Sequence, residues 1–426
     1  MKNKITALQI SEIKADFLKI ESLDDLCNVL NLINELTQFK NKIEINQLVK
    51  LSNPSLAKNR YKEFTIKKKS GTNRTINAPI RELNTILKSL NNLFNLIYNP
   101  HTNAFGFVTG KSIVDNAKIH TNKKYVYNID LKDFFHSFDR NRVKMGIWYQ
   151  LFGGDKSKEK ISFILACLTT HPLMIDGVSG IVLPQGSPTS PFLTNLLCYK
   201  LDRQLKGLAK RFRLMYSRYA DDITFSSNYD VYSNPTFTLE LNRIITTQNL
   251  VINPTKTRLQ GNGYRKEVTG VIVNEQINVS QNYIKQLRMW IYYIEKYGIE
   301  KATEIFKKDY AKEKGHIKSM QASMQNVIEG KLLYLEMVRG KDDKKFLTLK
   351  RRFYKSIGKV SKIDKVLIAW DEKGISKAMD IYYNYNRISL AAFLDNDATN
   401  VILDELRFEA KDSNNNRKKS NIIFTL

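Results

Sequence analysis

The residues best suited to chemistry in this sequence are three aspartates, and the chemistry they suit is phosphoryl transfer. Tyr219-Ala220-Asp221-Asp222 lies between the strand-like runs Leu214-Met215-Tyr216 and Ile223-Thr224-Phe225, so the acidic pair falls at the tip of a tight hairpin. Two-metal phosphoryl transfer needs carboxylates that hold two cations about 3.5–4 Å apart, and adjacent strand ends fix such groups rigidly. Asp130 is the partner candidate. It ends the apolar strand Tyr125-Val126-Tyr127-Asn128-Ile129, where an aspartate is costly unless it is paired or bound to a cation. Asp133 and Asp139 compete as ligands, but their spacing suits a helix start and a surface. Two further acidic pairs serve as controls. Asp24-Asp25 opens a helix, where carboxylates favour the dipole, and Asp342-Asp343 sits among lysines as a solvated face. Only Asp221-Asp222 has apolar strands on both sides.

Other metal chemistries find no ligands. Cys27, Cys167 and Cys198 are far apart and lack a Cys-x-x-Cys spacing, which reads as buried free thiols in a reducing compartment. The five histidines form no ligand spacing, so any metal must be held by carboxylates. The chain has 426 residues, enough for two or three domains of about 150 residues each, and 42% of it is apolar. Its 68 Lys plus Arg against 42 Asp plus Glu give a formal charge of +26. Such an excess favours a polyanionic partner; charge alone does not separate nucleic acid from an acidic membrane surface. No run of about 20 apolar residues would span a bilayer, and the basic N-terminus leads into a mixed-charge stretch rather than a signal core.

The elements that must position the aspartates follow from periodicity. Residues 1–60 read as amphipathic helices, with Leu23, Leu26, Leu30 and Ile33 on one stripe. Phe64-Thr65-Ile66 and Arg74-Thr75-Ile76 flank the basic turn Lys67-Lys68-Lys69-Ser70-Gly71, a hairpin that either reaches over phosphates or is a solvated turn. Strand signals cover 124–138 and 212–228. Between them Leu183-Pro184-Gln185-Gly186-Ser187-Pro188 opens a proline-rich loop, and Leu193, Leu197, Leu201 and Leu205 then mark one helix. Residues 281–298 are helical again. Residues 301–365 carry 18 Lys plus Arg and 8 Asp plus Glu, whereas 366–426 carry 8 and 9, a step that suggests a boundary near 365. Asp412–Lys419 reads as a polar loop.

Taken together in order, these blocks resemble reverse transcriptases. Asn128-Ile129-Asp130 with Phe134-Phe135 is similar to the first palm motif, Leu183–Pro188 to the nucleotide-pocket loop, and Tyr219–Asp222 to the catalytic hairpin. Leu250–Thr257 is similar to the next block with its lysine, and Ile66–Gly71 with Arg74 to the fingers. One such block would be weak; five in order over residues 60–275 are strong. Asn116-Ala117-Lys118-Ile119-His120 and Val268-Thr269-Gly270 resemble the signatures of retron reverse transcriptases, and Ala104-Phe105-Gly106-Phe107 departs from the family's Ala-His-Gly-Phe only at Phe105.

The resemblance implies an α+β right-hand polymerase fold. Its parts would be a helical N-terminal region (1–60), fingers and palm (61–280, the palm an antiparallel sheet carrying the catalytic hairpin), a basic helical thumb (281–355) and a C-terminal extension (356–426). It implies that Asp130, Asp221 and Asp222 hold two Mg²⁺ ions, with Mn²⁺ a substitute, since oxygen-only ligands suit these hard ions. Phe135 would crowd the sugar 2′-position, Gln185 and Gly186 would line the nucleotide pocket, and Lys67, Arg74 and Lys256 would contact the triphosphate. Asn116 and His120 would either shape the fingers–palm junction or contact RNA. Lys331, Arg339, Lys350, Arg351 and Arg352 would grip the nucleic-acid backbone. The implied activity is RNA-directed DNA synthesis in a bacterial cytoplasm, on a structured non-coding RNA that is both template and primer, with dNTPs as substrates and an RNA–DNA product. Anti-phage defence, with an effector or toxin protein or a second defence subunit, is the implied setting. A defence enzyme with another primer and product is the sister reading, kept open by the tail beyond about 356. Residues 366–426 are too few for an RNase H domain, and Asp371, Glu372, Asp380, Asp395 and Asp397 within them read as surface.

Overall fold

The computed structural model describes residues 5–39, 41–53, 56–57, 59–67, 71, 73–175, 177–314, 322–359 and 362–394. Helices open the chain because capping residues punctuate its apolar stripe. Thr6 and Ser22 form reciprocal capping boxes at α1 (Ala7–Lys19) and α2 (Leu23–Leu36), satisfying backbone N–H groups that the helix itself leaves unpaired; α3 (Ile45–Ser52) follows. Asp25 serves the second box, the helix-opening role expected of it. The antiparallel hairpin of β1 (Tyr61–Lys67) and β2 (Asn73–Pro79) comes next. Then come α4 (Arg81–Ile97), α5 (Ile113–Lys118), β3 (Tyr125–Leu131), α6 (Arg140–Leu151), α7 (Glu159–Thr169) and a second hairpin, β4 (His171–Ile175) with β5 (Val178–Val182).

The Leu193–Leu205 stripe is buried as expected, but it belongs to two helices, α8 (Ser190–Leu197) and α9 (Tyr199–Arg211). Cys198, with ψ near 1°, breaks them, and because helical hydrogen bonds resume on either side the stripe keeps its face. The strand expectations were too long for a definite reason. Arg213 at φ 52° and Asp133 at φ 45° reverse the chain, so β6 (Met215–Tyr219) starts late and β3 stops at Leu131. After β7 (Asp222–Ser227) come α10 (Pro235–Thr246), β8 (Ile252–Gln260) and the short pair β9 (Glu267–Val268) and β10 (Val271–Ile272). The chain continues through α11 (Gln281–Lys314), α12 (Met324–Arg339), α13 (Lys344–Ser356) and α14 (Lys362–Leu394).

The chain divides into two compact units. The first holds Met1–Gln286, Lys308–Ala322 and Leu333–Lys341; the second holds Leu287–Lys307, Ser323–Leu332 and Asp342–Leu426. In the first, β6, β7, β3 and β8 form an antiparallel four-stranded sheet in that order. One of its faces is buried under a core that includes Ile129, Leu201, Tyr216, Ile223 and Phe225. In the second, Leu287, Ile291, Ile328, Phe346 and Phe353 are buried, and Trp290 meets Phe306 edge-on at 5.0 Å. Gly298 and Gly374 interrupt α11 and α14 with positive φ. Asp343, expected on a solvated face, instead caps α13 by accepting the Phe346 N–H. The charge step near 365 falls inside α14, within the second unit. Residues 395–426, with Asp395, Asp397 and the polar run 412–419, lie outside the described residues. All three cysteines are buried. Among the described residues no helix is long and apolar enough to cross a membrane.

Candidate active site

Strand register brings the aspartates together. In the β3–β7 pair Asp130 lies directly opposite Asp222, and directly opposed residues share one face of a sheet. Asp221 occupies the turn between β6 and β7, behind Ala220 at φ 58°, and its carbonyl accepts the Leu131 N–H at 3.1 Å. The sheet that buries Ile129, Ile223 and Phe225 on one side therefore crowds carboxylates on the other. Burial raises Asp221 above the ordinary carboxylate range, with the Asp130 charge adding to it. Burial and the Asp221 and Asp130 charges push Asp222 up to about 6. Such crowding is what a bound cation relieves.

β8 supplies the counter-charge. Its register against β3 shifts between the Asn128–Arg258 and Asp130–Asn253 pairs, a bulge of the kind that re-aims side chains. Lys256 lies in that bulge, and its Nζ donates to both Asp130 oxygens at 3.0 and 3.1 Å; Asn253 Nδ2 donates to Oδ1 at 2.9 Å. Among the described residues no three His, Cys, Asp or Glu side chains converge as a ready-made metal cage. The donor set nonetheless fits Mg²⁺, which keeps several waters and takes one or two carboxylates together with substrate phosphates.

The nucleotide side is built from three segments. After β3 the left-handed Asp133 starts a 3₁₀ turn, Phe135–Ser137, that holds Phe135 half-buried against Phe134. Leu183 donates to the Phe138 carbonyl, tying this turn to the loop after β5. In that loop Gln185 accepts the Asn77 N–H at 2.8 Å. Gly186, at φ 121°, lies so close to β2 that a Cβ would stand 2.8 Å from both the Asn77 carbonyl oxygen and the Ile76 side chain. Arg74, two residues before Ile76 on the same hairpin face, lowers the Asp221 pKa through its charge.

A protein-family model described as "Reverse transcriptase (RNA-dependent DNA polymerase)" matches residues 66–273. The chain is 35% identical over 259 residues to the retron Mx162 reverse transcriptase and 34% over 238 residues to the retron Mx65 reverse transcriptase, both of Myxococcus xanthus. Those matches cover 54% of this chain each, and 52% and 55% of the relatives, so the chain spans about half their length. The retron Ec86 reverse transcriptase of Escherichia coli is 34% identical over 242 residues, covering 55% of this chain and 70% of the relative. The chain belongs to the retron reverse transcriptases.

The two signatures that resemble retron reverse transcriptases meet in space. Asn116 in α5 donates to the Thr269 hydroxyl at 3.5 Å, linking the Asn-Ala-x-x-His segment to the Val-Thr-Gly turn. His120 bridges β6 and β7, its Nδ1 2.7 Å from the Ser226 hydroxyl and its Nε2 2.8 Å from that of Ser217. Both side chains are fully buried, and burial pushes His120 down to about 3, so it stays neutral. Neither side chain reaches the surface.

Lys67 pairs with Asn73, which puts it on the opposite face of the hairpin from Arg74. It is exposed and is not brought to the aspartates; Lys68 and Lys69 lie outside the described residues. Lys256 is ion-paired with Asp130. In the first unit, Arg339 donates to Asn278 Oδ1 at 2.8 Å. In the second unit, Arg352 forms a two-pronged bond to Glu295 at 2.9 and 2.6 Å, Arg351 pairs with Asp371 at 3.0 Å, and Lys331 and Lys350 lie over Trp290 and Phe346. These cations are half-buried and engaged within the protein rather than displayed.

Sequence reasoning missed the support beneath the hairpin. Arg218 and Asp202 form a completely buried ion pair at 2.7 Å; Arg218 also donates to the Ala220 carbonyl at 3.1 Å and to Asn195, and Tyr216 donates to Asp202 at 2.6 Å. The available signal was parity. Tyr216 and Arg218 alternate onto the core face of β6, and a charge there requires a buried partner.

Proposed function

We propose that this chain is an RNA-directed DNA polymerase that copies a structured non-coding RNA into the single-stranded DNA of a retron. In this reading it primes from an RNA 2′-hydroxyl and serves bacterial anti-phage defence in the cytoplasm. The observation that carries the reading is the cross-strand pairing of Asp130 with Asp222 beside Asp221. Arg74, Gly186 and Phe135 on the neighbouring segments supply a nucleotide side to that pair. The relatives' names support the retron assignment.

Asp130, Asp221 and Asp222 are the ligands for two Mg²⁺ ions, or Mn²⁺ in their place. When bound, such ions lower the pKa of the primer hydroxyl and neutralise charge on the leaving pyrophosphate. Lys256 offsets the carboxylates and contacts the triphosphate together with Arg74. Gln185 and Gly186 line the pocket through their backbone, and Phe135 excludes a ribose 2′-hydroxyl sterically. Residues 61–280 act as fingers and palm, 281–355 as the thumb, and 356–426 as a C-terminal extension.

The test is primer extension on an RNA template with dNTPs and Mg²⁺, comparing the natural chain with Asp221→Ala, followed by sequencing of co-purifying nucleic acid. Extension by the natural chain alone, with DNA that a debranching enzyme releases from structured RNA, is expected. Equal extension by Asp221→Ala would remove the site. Unbranched, repetitive or protein-linked DNA would keep the polymerase and move the assignment to a defence enzyme with another primer.

A further inference from the structure

The segment from Thr102 to Lys111 is fastened to the catalytic hairpin along its length. Arg218 N–H donates to the Asn103 carbonyl at 2.9 Å, Phe105 N–H donates to the Arg218 carbonyl at 2.8 Å, and Asn103 Nδ2 donates to the Tyr216 carbonyl at 2.7 Å. Lys111 Nζ closes the loop by donating to the Thr102 and Ala104 carbonyls, each at 2.7 Å, while lying 4.4 Å over the Phe105 ring. Gly106 is wedged against the turn itself. A Cβ there would come within 2.5 Å of the Ala220 nitrogen, and the Gly106 carbonyl accepts Asn195 Nδ2 at 2.8 Å.

This anchored loop ends in an unusual presentation. Phe107 has φ 60°, a left-handed conformation that a bulky residue rarely adopts. Among the described residues it is the one aromatic in that region, and the residue is 43% exposed. An apolar ring displayed at conformational cost, on a loop otherwise held by hydrogen bonds, points to a use for the ring. What it faces is Phe135. The ring centroids are 6.4 Å apart at 45°, within the range of aromatic pairs. Phe135 is otherwise flanked by Phe134 at 5.8 Å, so Phe107 stands as a wall on its exposed flank.

We propose that Phe107 is a positioning residue for sugar selection, holding the Phe135 ring where it crowds a nucleotide 2′-hydroxyl. The proposal rests on the reading of Phe135 as the sugar filter. A ring free to turn away would admit the hydroxyl; one braced from both flanks cannot. The left-handed backbone at Phe107 is the means by which a loop stapled to the catalytic turn reaches across to the 3₁₀ turn after β3.

Single-nucleotide addition by the full chain, with dGTP and GTP on a defined RNA template, tests this. Phe107→Ala is expected to lower the dGTP-over-GTP ratio of kcat/KM about tenfold, the scale of one lost aromatic pairing, chiefly by raising GTP use. Phe107→Tyr should restore the ratio. Phe107→Gly should lose selectivity without a lower Tm, since glycine relieves the backbone strain. The double variant with Phe135→Val should be no less selective than Phe135→Val alone, because both residues act through one wall. An unchanged ratio in Phe107→Ala, beside a changed one in Phe135→Val, overturns the role of Phe107 and leaves the filter standing. An unchanged ratio in Phe135→Val overturns the filter. Equal loss of dGTP and GTP use in Phe107→Ala reduces the residue to a structural one and overturns the proposal.

Discussion

Asp222 gives the site a pH signature that can be read without substrate. Its pKa is near 6 in the folded chain and about 3.9 for an unperturbed aspartate. A carboxyl with a raised folded pKa favours folding when protonated, so its stabilising contribution is complete below about 4 and is lost as pH rises through about 6. Above that, the folded protein carries a buried, repelled charge. Asp222→Asn removes it. In metal-free protein this variant is therefore expected to melt several degrees higher than the natural chain at pH 8 and at nearly the same temperature at pH 4; one pKa unit corresponds to about 1.4 kcal/mol. Thermal melts in EDTA check this, and an effect larger at pH 4 than at pH 8 would contradict it. Activity should move the opposite way, rising from pH 5 to 7 as the carboxylates ionise. The three aspartates were legible in the sequence because acidic residues at the ends of apolar strands are conspicuous. Asn253 was not, since an amide in a bulge has no periodicity to betray it.

Elements carry the precision of the site, and their junctions are where the sequence was least readable. The strand signals were right in type and too long in extent, because single left-handed residues such as Asp133 and Arg213 end them without glycine or proline. Those reversals matter functionally, since the one at Asp133 produces the turn that presents Phe135. Gly186 is the opposite case, a glycine whose need is plain once β2 is seen beside it. Gly186→Ala is expected to push the pocket loop off the Asn77 carbonyl, raising the KM for dNTPs about tenfold or more while costing roughly 1–3 kcal/mol of stability. Steady-state kinetics with a parallel melt distinguish this from simple unfolding, and an unchanged KM would show that the loop does not line the pocket. The buried Asp202–Arg218 pair explains how the hairpin endures its own crowding. Arg218 reaches the Ala220 carbonyl, so the turn before Asp221 is held from beneath the sheet.

For the molecule as a whole, net charge was the clearest sequence signal. The formal charge of +26 predicts salt-sensitive binding to a polyanion, because each neutralised phosphate releases counterions. Arg352 is tied to Glu295, whereas Lys344 and Lys345 at the start of α13 are exposed. Replacing both lysines by alanine is expected to reduce the slope of log affinity for RNA against log salt by about 1 to 2, while Arg352→Ala lowers the melting temperature and leaves the slope unchanged. Fluorescence anisotropy across a salt series decides it; a flat response to the double lysine change would place the nucleic acid elsewhere.

The three buried cysteines have a practical consequence. Burial raises the pKa of each thiol, that of Cys198 to about 11, which leaves little thiolate at neutral pH for an electrophile to find. The native chain should thus stand nearly silent toward maleimides. A single cysteine introduced at an exposed position such as Tyr264 could be labelled selectively in the otherwise unaltered chain, with no prior removal of native thiols.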